Sequence, residues 1–439
     1  MERRQKIYWH IILFVFAGIV RILFMGLCGG LDNNIRDSMS DQYIYLDIAG
    51  NLIDHGHFVV STDTWVANAG EMTSIVPPLY PLFLALVFSL FGQDLIIVRL
   101  LQVMISASLV NFVFAIAQHA SNEKTAILAG ILAAIYPGLV MYVRPIMSEG
   151  LFYTLIPFLV WATYKLDQAN PSKGYFVLWG GIAAFSVLTR TEVMFLIVLL
   201  LVYLAYSQLK RTHRINLVGF SVLALTAFIV LSPYIVYNYA AHGKIAFLPN
   251  AKWKFWDHTY WTEMRNHPEW EGTLLPEREI VPDWEGLTEV ERDDYLWNMA
   301  IEFIRSHPDT FLVQRVKHLV WGYPVIPREL FSQSGKPDGF EYGPTSLDDV
   351  VRYVTVAEQV RVWVFRSVFF LAVCGIVITL WYRHARAYPL LLVLIWNIFH
   401  TMLFVGSERL RLQIDFCLLI FAALFIVHVL SSALGRNRP

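Results

Sequence analysis

A carboxylate on an amphipathic segment near the N-terminus is the first candidate for chemistry in this sequence. Asp41, Tyr45, Ala49 and Leu52 recur at three- and four-residue spacing, so a helix over about 41–54 would place them on one face. A carboxylate on that face could meet the headgroup of a lipid. The alternative is that Asp41 follows two serines as a cap of this helix and is otherwise solvated.

Glu149 is the second candidate, because it stands at the start of an apolar stretch, five residues after Arg144. A carboxylate at the edge of hydrocarbon is costly unless it is paired or used. The alternative interpretation is a structural ion pair with Arg144.

Four arginines stand in short turns between apolar stretches: Arg144, Arg190, Arg409 and Arg411. A guanidinium stays charged at any relevant pH and can hold a phosphate through two parallel hydrogen bonds. An anionic ligand would therefore account for this grouping. Each arginine could instead pair with a local acid, as Arg190 with the glutamate two residues later or Arg409 with the glutamate before it.

A metal centre is not indicated by the histidines and acids outside the apolar stretches, because no recognised ligand spacing links them. We interpret these residues as solvated: His55, His57, His242, His258, Glu71 and Asp257. The three cysteines show no paired spacing that would suggest a metal knuckle or a disulfide framework.

The composition indicates what solvent surrounds most of the chain. Of its 439 residues 56% are hydrophobic and 16% charged, whereas soluble domains have about 45 to 50% apolar and about 25% charged residues. Such a chain cannot hide its apolar surface in a water-soluble core. The formal net charge of -1 gives no attraction to nucleic acid, and no nucleic-acid partner is expected. We predict an all-α integral membrane protein in contact with the lipid bilayer.

Ten stretches are long enough to cross roughly 30 Å of hydrocarbon, at about 20 residues each. They are residues 7–27, 95–118, 125–143, 147–165, 174–189, 192–208, 215–234, 363–382, 386–405 and 412–432. With a cytoplasmic N-terminus, this number places the short basic loops inside, as the positive-inside rule requires. The shorter apolar run from Pro77 to Gly92 is then predicted to be a helix lying in the outer interface.

This topology divides the chain into three parts. Residues 1–234 form an N-terminal membrane module that contains a first outer loop at 28–94. Residues 235–362 form a long, Trp-rich outer loop, and 363–439 hold the last spans. Helical patterns at 289–306 and 308–321 predict a small, mostly helical outer cap. The candidate acids and arginines then share the outer, or periplasmic, side of a plasma (inner) membrane.

Several motifs around these residues occur in an informative order. They are the segment from Asp41 to Leu52 with His55-Gly56-His57-Phe58, Met147-Ser148-Glu149, Leu188-Thr189-Arg190 and Ser407-Glu408-Arg409-Leu410-Arg411. The series resembles the GT-C superfamily of membrane glycosyltransferases. It is most similar to the bacterial branch related to protein O-mannosyltransferases (dolichyl-phosphate-mannose-protein mannosyltransferases) and to the lipid A aminoarabinose transferase.

The resemblance implies a GT-C fold and inverting transfer of a sugar, a hexose or a pentose, from a polyprenyl-phosphate-linked donor to a lipid, glycan or protein acceptor. By position it gives Asp41 the catalytic role of acting on the acceptor hydroxyl, and Glu149 that of orienting donor or acceptor. A carboxylate that accepts the hydroxyl proton contributes about 10² to 10⁴ in rate. The four arginines would stabilise charge on the departing lipid phosphate. Tyr45, His57 and Glu71 complete the candidate substrate contacts.

Two positions depart from the family pattern, since Ile75-Val76 precede Pro77 where an arginine is expected and Gln413 replaces a proline. Relatives differ in whether they use a divalent cation, which is the only cofactor that the resemblance leaves open.

Two functions of other classes compete with this hypothesis. A flippase or transporter of lipid-linked glycans would share the hydrophobicity and the outer arginines, but it is expected to have polar or broken helices near the midplane. The predicted spans are almost free of ionisable residues. A non-catalytic scaffold is disfavoured by the grouping of outer carboxylates with arginines.

Overall fold

The computed structural model describes residues 3–28, 30–33, 40–64, 66–244, 251–261, 277–323, 325 and 348–434. Within these ranges all regular structure is helical apart from one bridged pair, Val59 and Met72, so the all-α prediction is confirmed. The helices of the first half are α1 (Arg3–Leu27), α2 (Ser40–His55), α3 (Leu79–Phe91), α4 (Leu95–Ala120), α5 (Glu123–Ile135), α6 (Pro137–Met141), α7 (Glu149–Leu166), α8 (Lys173–Thr189), α9 (Met194–Thr212) and α10 (Leu217–His242). Those of the second half are α11 (Ala251–Trp256), α12 (Glu277–Ile280), α13 (Glu289–Ser306), α14 (Pro308–Gly322), α15 (Asp348–Trp381), α16 (Tyr388–Leu403), α17 (Glu408–Arg411) and α18 (Asp415–Ala433).

Seven helical segments in the described part of the chain are long and apolar enough to cross a membrane. They are Arg4–Leu27, Leu95–Ala120, Thr191–Thr212, Leu217–His242, Gln359–Trp381, Ala385–Leu403 and Glu408–Ala433. These match seven of the ten predicted spans, and the protein is a multi-pass membrane protein. The other three predicted spans correspond to α5 with α6, to α7 and to α8. The number ten stays a prediction.

The predicted span 125–143 is interrupted at a proline. α5 ends at Ile135, Tyr136 is extended, and α6 starts at Pro137. Proline is favoured in the first turn of a helix and disfavoured in its interior, because it lacks a backbone N–H and restricts the residue before it. The chain turns again after Met141 before α7 begins at Glu149. This double break places Glu149 in the first turn of α7.

The membrane helices pack closely around small residues. α4 packs against α1, α5 and α7, while α8 packs against α10 and α15 against α18. A Cβ atom at Gly180 would clash with the carbonyl oxygen of Leu223, and one at Gly375 with that of Phe421. Glycine at these two positions therefore allows the paired backbones to approach each other.

α2 and α3 build a separate apolar cluster with the turn before α7. Tyr45 and Ala49 of α2 are buried in this cluster with Tyr80 of α3 and Met147. The predicted helix with its common face is confirmed. α3 has 13 residues and is about 20 Å long, which is shorter than the hydrocarbon core. Its place in the membrane interface stays a prediction.

The cap contains the two helices predicted from its sequence, α13 and α14. They pack with α11 around Trp256, Leu296 and Phe303. Thr288 begins α13 with a capping box, since the side chain of Glu291 accepts a hydrogen bond from the Thr288 backbone N–H at 2.9 Å. Both predicted limits of the outer loop fall inside α10 and α15. Residues 245–250, 262–276 and 326–347 of that loop lie outside the described residues.

Buried polar residues join the cap to the loop that follows α2. The carboxylate of Glu289 accepts hydrogen bonds from the Thr73 hydroxyl at 2.9 Å and the Ser74 backbone N–H at 3.1 Å. Nη1 of Arg292 donates to the carbonyl oxygen of Val66 at 3.0 Å. Buried hydrogen bonds of this kind are costly to break, so they hold α2 in a defined position under the cap.

Candidate active site

Five charged side chains from four separate segments of the chain meet at one end of the helical bundle. Arg409 donates from Nη2 to Oδ2 of Asp41 at 2.8 Å and from Nε to Oε1 of Glu149. Arg190 donates from Nη1 to the same Oε1 at 2.6 Å, and from Nε to Oε1 of Glu192 at 2.5 Å. These residues form a continuous series of ion pairs, which we call the charged cluster.

Burial increases along the charged cluster from Asp41 to Glu149. The Asp41 side chain is 34% exposed and that of Arg409 24%, whereas that of Glu149 is only 1% exposed. A buried carboxylate carries a desolvation penalty of several kcal/mol unless charge and hydrogen bonds offset it. The two guanidinium groups supply both the charge and the hydrogen bonds. Glu149 is therefore held in place at the buried end of the cluster, whereas Asp41 is accessible to water.

These pairs decide between the alternatives left open by the sequence. Glu149 does not pair with Arg144, whose Nη1 donates to the carbonyl oxygen of Cys28 at 2.9 Å. Arg409 pairs with Asp41 and Glu149 and not with the preceding glutamate. Asp41 is ion-paired in addition to being partly solvated. The local partner proposed for Arg190 is present. Tight turns aim successive side chains in different directions, and nearness in sequence therefore does not determine the pairs.

Aromatic side chains fix the backbone of the charged cluster. The Tyr153 hydroxyl donates to the carbonyl oxygen of Arg409 at 2.5 Å, and Nε1 of Trp396 donates to that of Glu192 at 3.0 Å. Glu192 entered the sequence analysis only as a local partner of Arg190. Like Glu149, it stands at the start of an apolar stretch, and the same cost argument would have identified it.

Tyr45 is a predicted substrate contact that the structure buries next to the cluster. Its hydroxyl lies 3.0 Å from Oγ of Ser148, and its ring meets that of Tyr80 edge-on. Tyr80 in turn donates to Oε1 of Gln102 at 2.5 Å. In this arrangement Tyr45 supports the turn that carries Glu149.

Three other predicted site residues are not brought into the cluster. Arg411 is buried, donates from Nη1 to both carboxylate oxygens of Asp415 at 3.2 Å, and lies over the ring of Phe365. His57 and Glu71 are exposed in the loop between α2 and α3. The structure thus groups only part of the predicted set.

Asp41 lies on α2, outside the predicted spans. Burial alone would raise the pKa of its carboxyl, but the charge and hydrogen bond of Arg409 outweigh burial and leave the pKa below its ordinary value of 3.8. The charges of Lys254 and Arg190 act in the same direction. Asp41 is therefore ionised at neutral pH and accessible to water, which is the state from which a general base starts.

Lys254 of α11 is a cation that the sequence analysis missed. Its side chain reaches water, yet protein surrounds it closely enough that burial lowers its pKa, opposed by the charges of Glu192 and Asp41. Its positive charge in turn lowers the pKa of Asp41. The sequence around this lysine is rich in Trp and Phe, as is typical of a segment that anchors in the membrane interface. It therefore gives no indication that Lys254 lies near the charged cluster.

Arg190 and Arg409 each have one guanidinium nitrogen that their ion pairs do not use. Among the described residues, Nη2 of Arg190 and Nη1 of Arg409 have no hydrogen-bond partner, and neither is a buried unpaired atom. A guanidinium carries five N–H donors in a planar fork. Both arginines can therefore bind an anion and keep their ion pairs.

A resident divalent cation does not fit the residues as they are arranged. No group of three or more His, Cys, Asp or Glu in the described ranges could hold a metal ion. The carboxylates of Asp41 and Glu149 are already engaged by guanidinium groups. Burial lowers the pKa of His258 to about 3, and His242 contacts Oγ of Ser74 at 2.9 Å. We derive no step through a metal.

Comparison with known proteins agrees with this architecture. Residues 76–237 match the family model described as dolichyl-phosphate-mannose-protein mannosyltransferase, and no curated protein matches the chain. The archaeal oligosaccharyltransferase AglB from Archaeoglobus fulgidus, solved with an inhibitory peptide and a dolichol-phosphate, has a TM-score of 0.53 at 13% identity. That match covers 99% of this chain and 53% of that chain. The chain has the GT-C fold.

Other solved structures also match this chain. The Archaeoglobus fulgidus oligosaccharyltransferase with Zn and sulfate has a TM-score of 0.55 at 12% identity, over 98% of this chain and 50% of that chain. ArnT from Cupriavidus metallidurans in the apo state has a TM-score of 0.40 at 13% identity, over 95% of this chain and 77% of that chain.

The chain spans about half the length of the oligosaccharyltransferase structures that it matches. The segment matched by the family model contains Glu149 and Arg190, whereas Asp41 and Arg409 lie outside it. The charged cluster therefore connects the matched segment to the parts of the chain before and after it.

Proposed function

We propose that the protein transfers a sugar from a polyprenyl-phosphate-linked donor to a hydroxyl group of a lipid, glycan or protein at the outer face of the membrane. The charged cluster carries this proposal, because it places an ionised, water-accessible carboxylate beside arginines that can bind an anion. The matched family is described by a dolichyl-phosphate-linked donor, and a structure of the same fold holds a dolichol-phosphate. Both support a lipid-phosphate donor.

In the proposed reaction, Asp41 accepts the proton of the acceptor hydroxyl while the hydroxyl oxygen attacks the anomeric carbon of the sugar. The bond from that carbon to the phosphate oxygen breaks, so the configuration inverts and polyprenyl phosphate leaves with the bonding electrons. The free N–H groups of Arg190 and Arg409 and the ammonium of Lys254 stabilise the new negative charge. Glu149 holds both guanidinium groups in position.

The outer orientation is supported by the distribution of charge. The turns at the other end of the bundle carry Lys124, Lys165, Lys210, Arg211 and Arg386, and such short basic loops favour the cytoplasm.

The proposal is tested by the purified protein acting on a panel of polyprenyl-phosphate sugars with extracted envelope lipids, glycans and proteins as acceptors. Asp41→Asn keeps the size of the side chain but removes the base, so we expect transfer to fall by about 10² to 10⁴. Asp54→Asn is the matched control, because Asp54 is an exposed aspartate on the same helix, and it should transfer at the wild-type rate. Thermal unfolding of each variant checks that folding is retained.

Two outcomes would contradict the proposal. Full activity of Asp41→Asn would remove Asp41 from the mechanism. Movement of the lipid-linked sugar across vesicles without any transferred product would support a flippase instead. Running the assay with Mg²⁺ and with a chelator tests the family's variable dependence on a divalent cation.

A further inference from the structure

A cavity lies at the end of the helical bundle opposite the charged cluster. It has a volume of about 530 Å³ and is bounded by the turn from α4 to α5, the end of α15, the turn before α16 and the last turns of α18. The distance between the charged cluster and the cavity can be estimated along α4. Gln102 of this helix contacts Tyr80 near the charged cluster, and Ala120 lines the cavity. At 1.5 Å per residue these two positions are roughly 27 Å apart.

The lining of this cavity is basic on one side and apolar on the other. Arg383, Arg386 and the imidazoles of His384 and His428 supply cations or hydrogen-bond donors. The apolar wall is formed by aliphatic side chains such as Leu424. None of the described residues that line the cavity is Asp or Glu. A cavity of this composition suits an amphiphile with a negatively charged head.

Two carboxylates at this end of the bundle, Asp167 and Glu123, do not neutralise this lining. Asp167, which precedes α8, accepts hydrogen bonds from the hydroxyls of Tyr203 and Ser207 and pairs with Arg211. Glu123 begins α5 beside the cavity but is not among the residues that line it. The basic side chains therefore face the cavity without acids between them.

Arg383 adds an independent observation. Its φ of +52° lies in the left-handed region, which favours glycine. The residue sits where α15 ends, and the backbone N–H of His384 closes the turn on the carbonyl oxygen of Thr379 at 3.0 Å. Glycine would adopt this conformation without strain, so Arg383 can be replaced by glycine without disturbing the turn.

We propose that this cavity binds the phosphate headgroup of an anionic membrane lipid from the leaflet opposite Asp41, with the acyl chains along the apolar wall. Arg383 and Arg386 hold the phosphate by charge-assisted hydrogen bonds. Inorganic phosphate shares the headgroup chemistry but has no part that contacts the apolar wall. The site does not depend on the proposed sugar transfer.

The test titrates the full-length protein in neutral detergent with phosphatidylglycerol, phosphatidylcholine or inorganic phosphate, and follows the midpoint of thermal unfolding. Phosphatidylglycerol is expected to raise the midpoint of the wild type, whereas the other two leave it nearly unchanged. Arg383→Gly relieves the backbone and should fold, but we expect its apparent affinity for phosphatidylglycerol to be about tenfold weaker or worse. His213→Gly is the matched control, since His213 also has a φ of +55° after a helix but does not line the cavity.

Equal phosphatidylglycerol affinity in Arg383→Gly and the wild type would overturn the site. So would an equal response to phosphatidylcholine. Stabilisation by inorganic phosphate as strong as that by phosphatidylglycerol, and lost in Arg383→Gly, would identify a free anion and overturn the assignment to a lipid.

Discussion

At the scale of single residues, the two central carboxylates of the site have different surroundings. One holds the arginines in position, and the other is accessible for reaction. Glu149 is almost completely buried and accepts hydrogen bonds from two guanidinium groups, so its negative charge holds the cations together. Asp41 shares one of those guanidinium groups but reaches water. Neutralising Glu149 would leave two cations facing each other in a poorly solvated place, whereas neutralising Asp41 removes only one partner of Arg409.

The pair of Asp41 with Arg409 predicts the acid limit of activity. Because Arg409 lowers the pKa of Asp41 below 3.8, the base stays ionised and wild-type transfer should remain level down to about pH 5 and fall only below about pH 4. In Arg409→Gln the charge and hydrogen bond that lower the pKa of Asp41 most are lost, and only the weaker effects of Lys254 and Arg190 still oppose burial, so the acid limb should move to higher pH. The measurement is kcat/KM against pH, with each profile normalised to its own maximum.

Normalisation matters because Arg409→Gln also weakens the proposed phosphate contact and lowers activity at every pH. An acid limb that stays at the wild-type pH would show that Asp41 is not the titrating base.

At the scale of elements, helix packing in this chain relies on glycines that let backbones approach. α8 offers two neighbouring glycines with different surroundings, since a Cβ at Gly180 would meet the backbone of α10, whereas one at Gly181 has no atom within 4 Å. The two positions share a helix and a sequence context, so they separate packing from helix propensity.

We expect Gly180→Ala to lower the free energy of unfolding by about 1 to 3 kcal/mol, because α8 and α10 must move apart. Gly181→Ala should be neutral or raise the free energy by up to about 1 kcal/mol, since alanine favours a helix. Unfolding in a mixed-detergent titration measures both. Equal destabilisation by the two substitutions would mean that α8 and α10 do not pack as described.

At the scale of the whole molecule, the charged cluster and the basic cavity occupy opposite ends of one helical bundle. The predicted topology places the charged cluster and the cap outside, and the basic cavity inside. Orientation is therefore the property on which the proposed function and the place of the lipid site both depend.

Labelling of single cysteines in intact cells tests this orientation. After Cys28, Cys374 and Cys417 are replaced by serine, Glu302→Cys on α13 should react with a membrane-impermeant maleimide added outside. Lys210→Cys at the end of α9 should react only after permeabilisation. Both residues are exposed, so lack of reaction reflects the side of the membrane. The reverse pattern would place the cap in the cytoplasm.

The sequence by itself determined that the chain is an all-helical, multi-pass membrane protein, and it predicted the helix that carries Asp41 and the two main cap helices. Hydrocarbon thickness sets the length and composition of a span, and local spacing reveals an amphipathic face. It also selected Asp41 as a candidate from its place on that face, and Glu149, Arg190 and Arg409 because charges beside hydrocarbon are costly enough to stand out.

Only the tertiary structure decided which of these charges meet. Asp41 and Arg409 are 368 positions apart in the chain, and their contact depends on how α2 packs under the cap and how the turn before α18 folds. Local spacing carries no information on such pairs, and it therefore favoured neighbours such as Arg144 for Glu149. Lys254 and the basic cavity could not be predicted from the sequence for the same reason. The residues around each of them come from segments that are distant in sequence and adjacent only after folding.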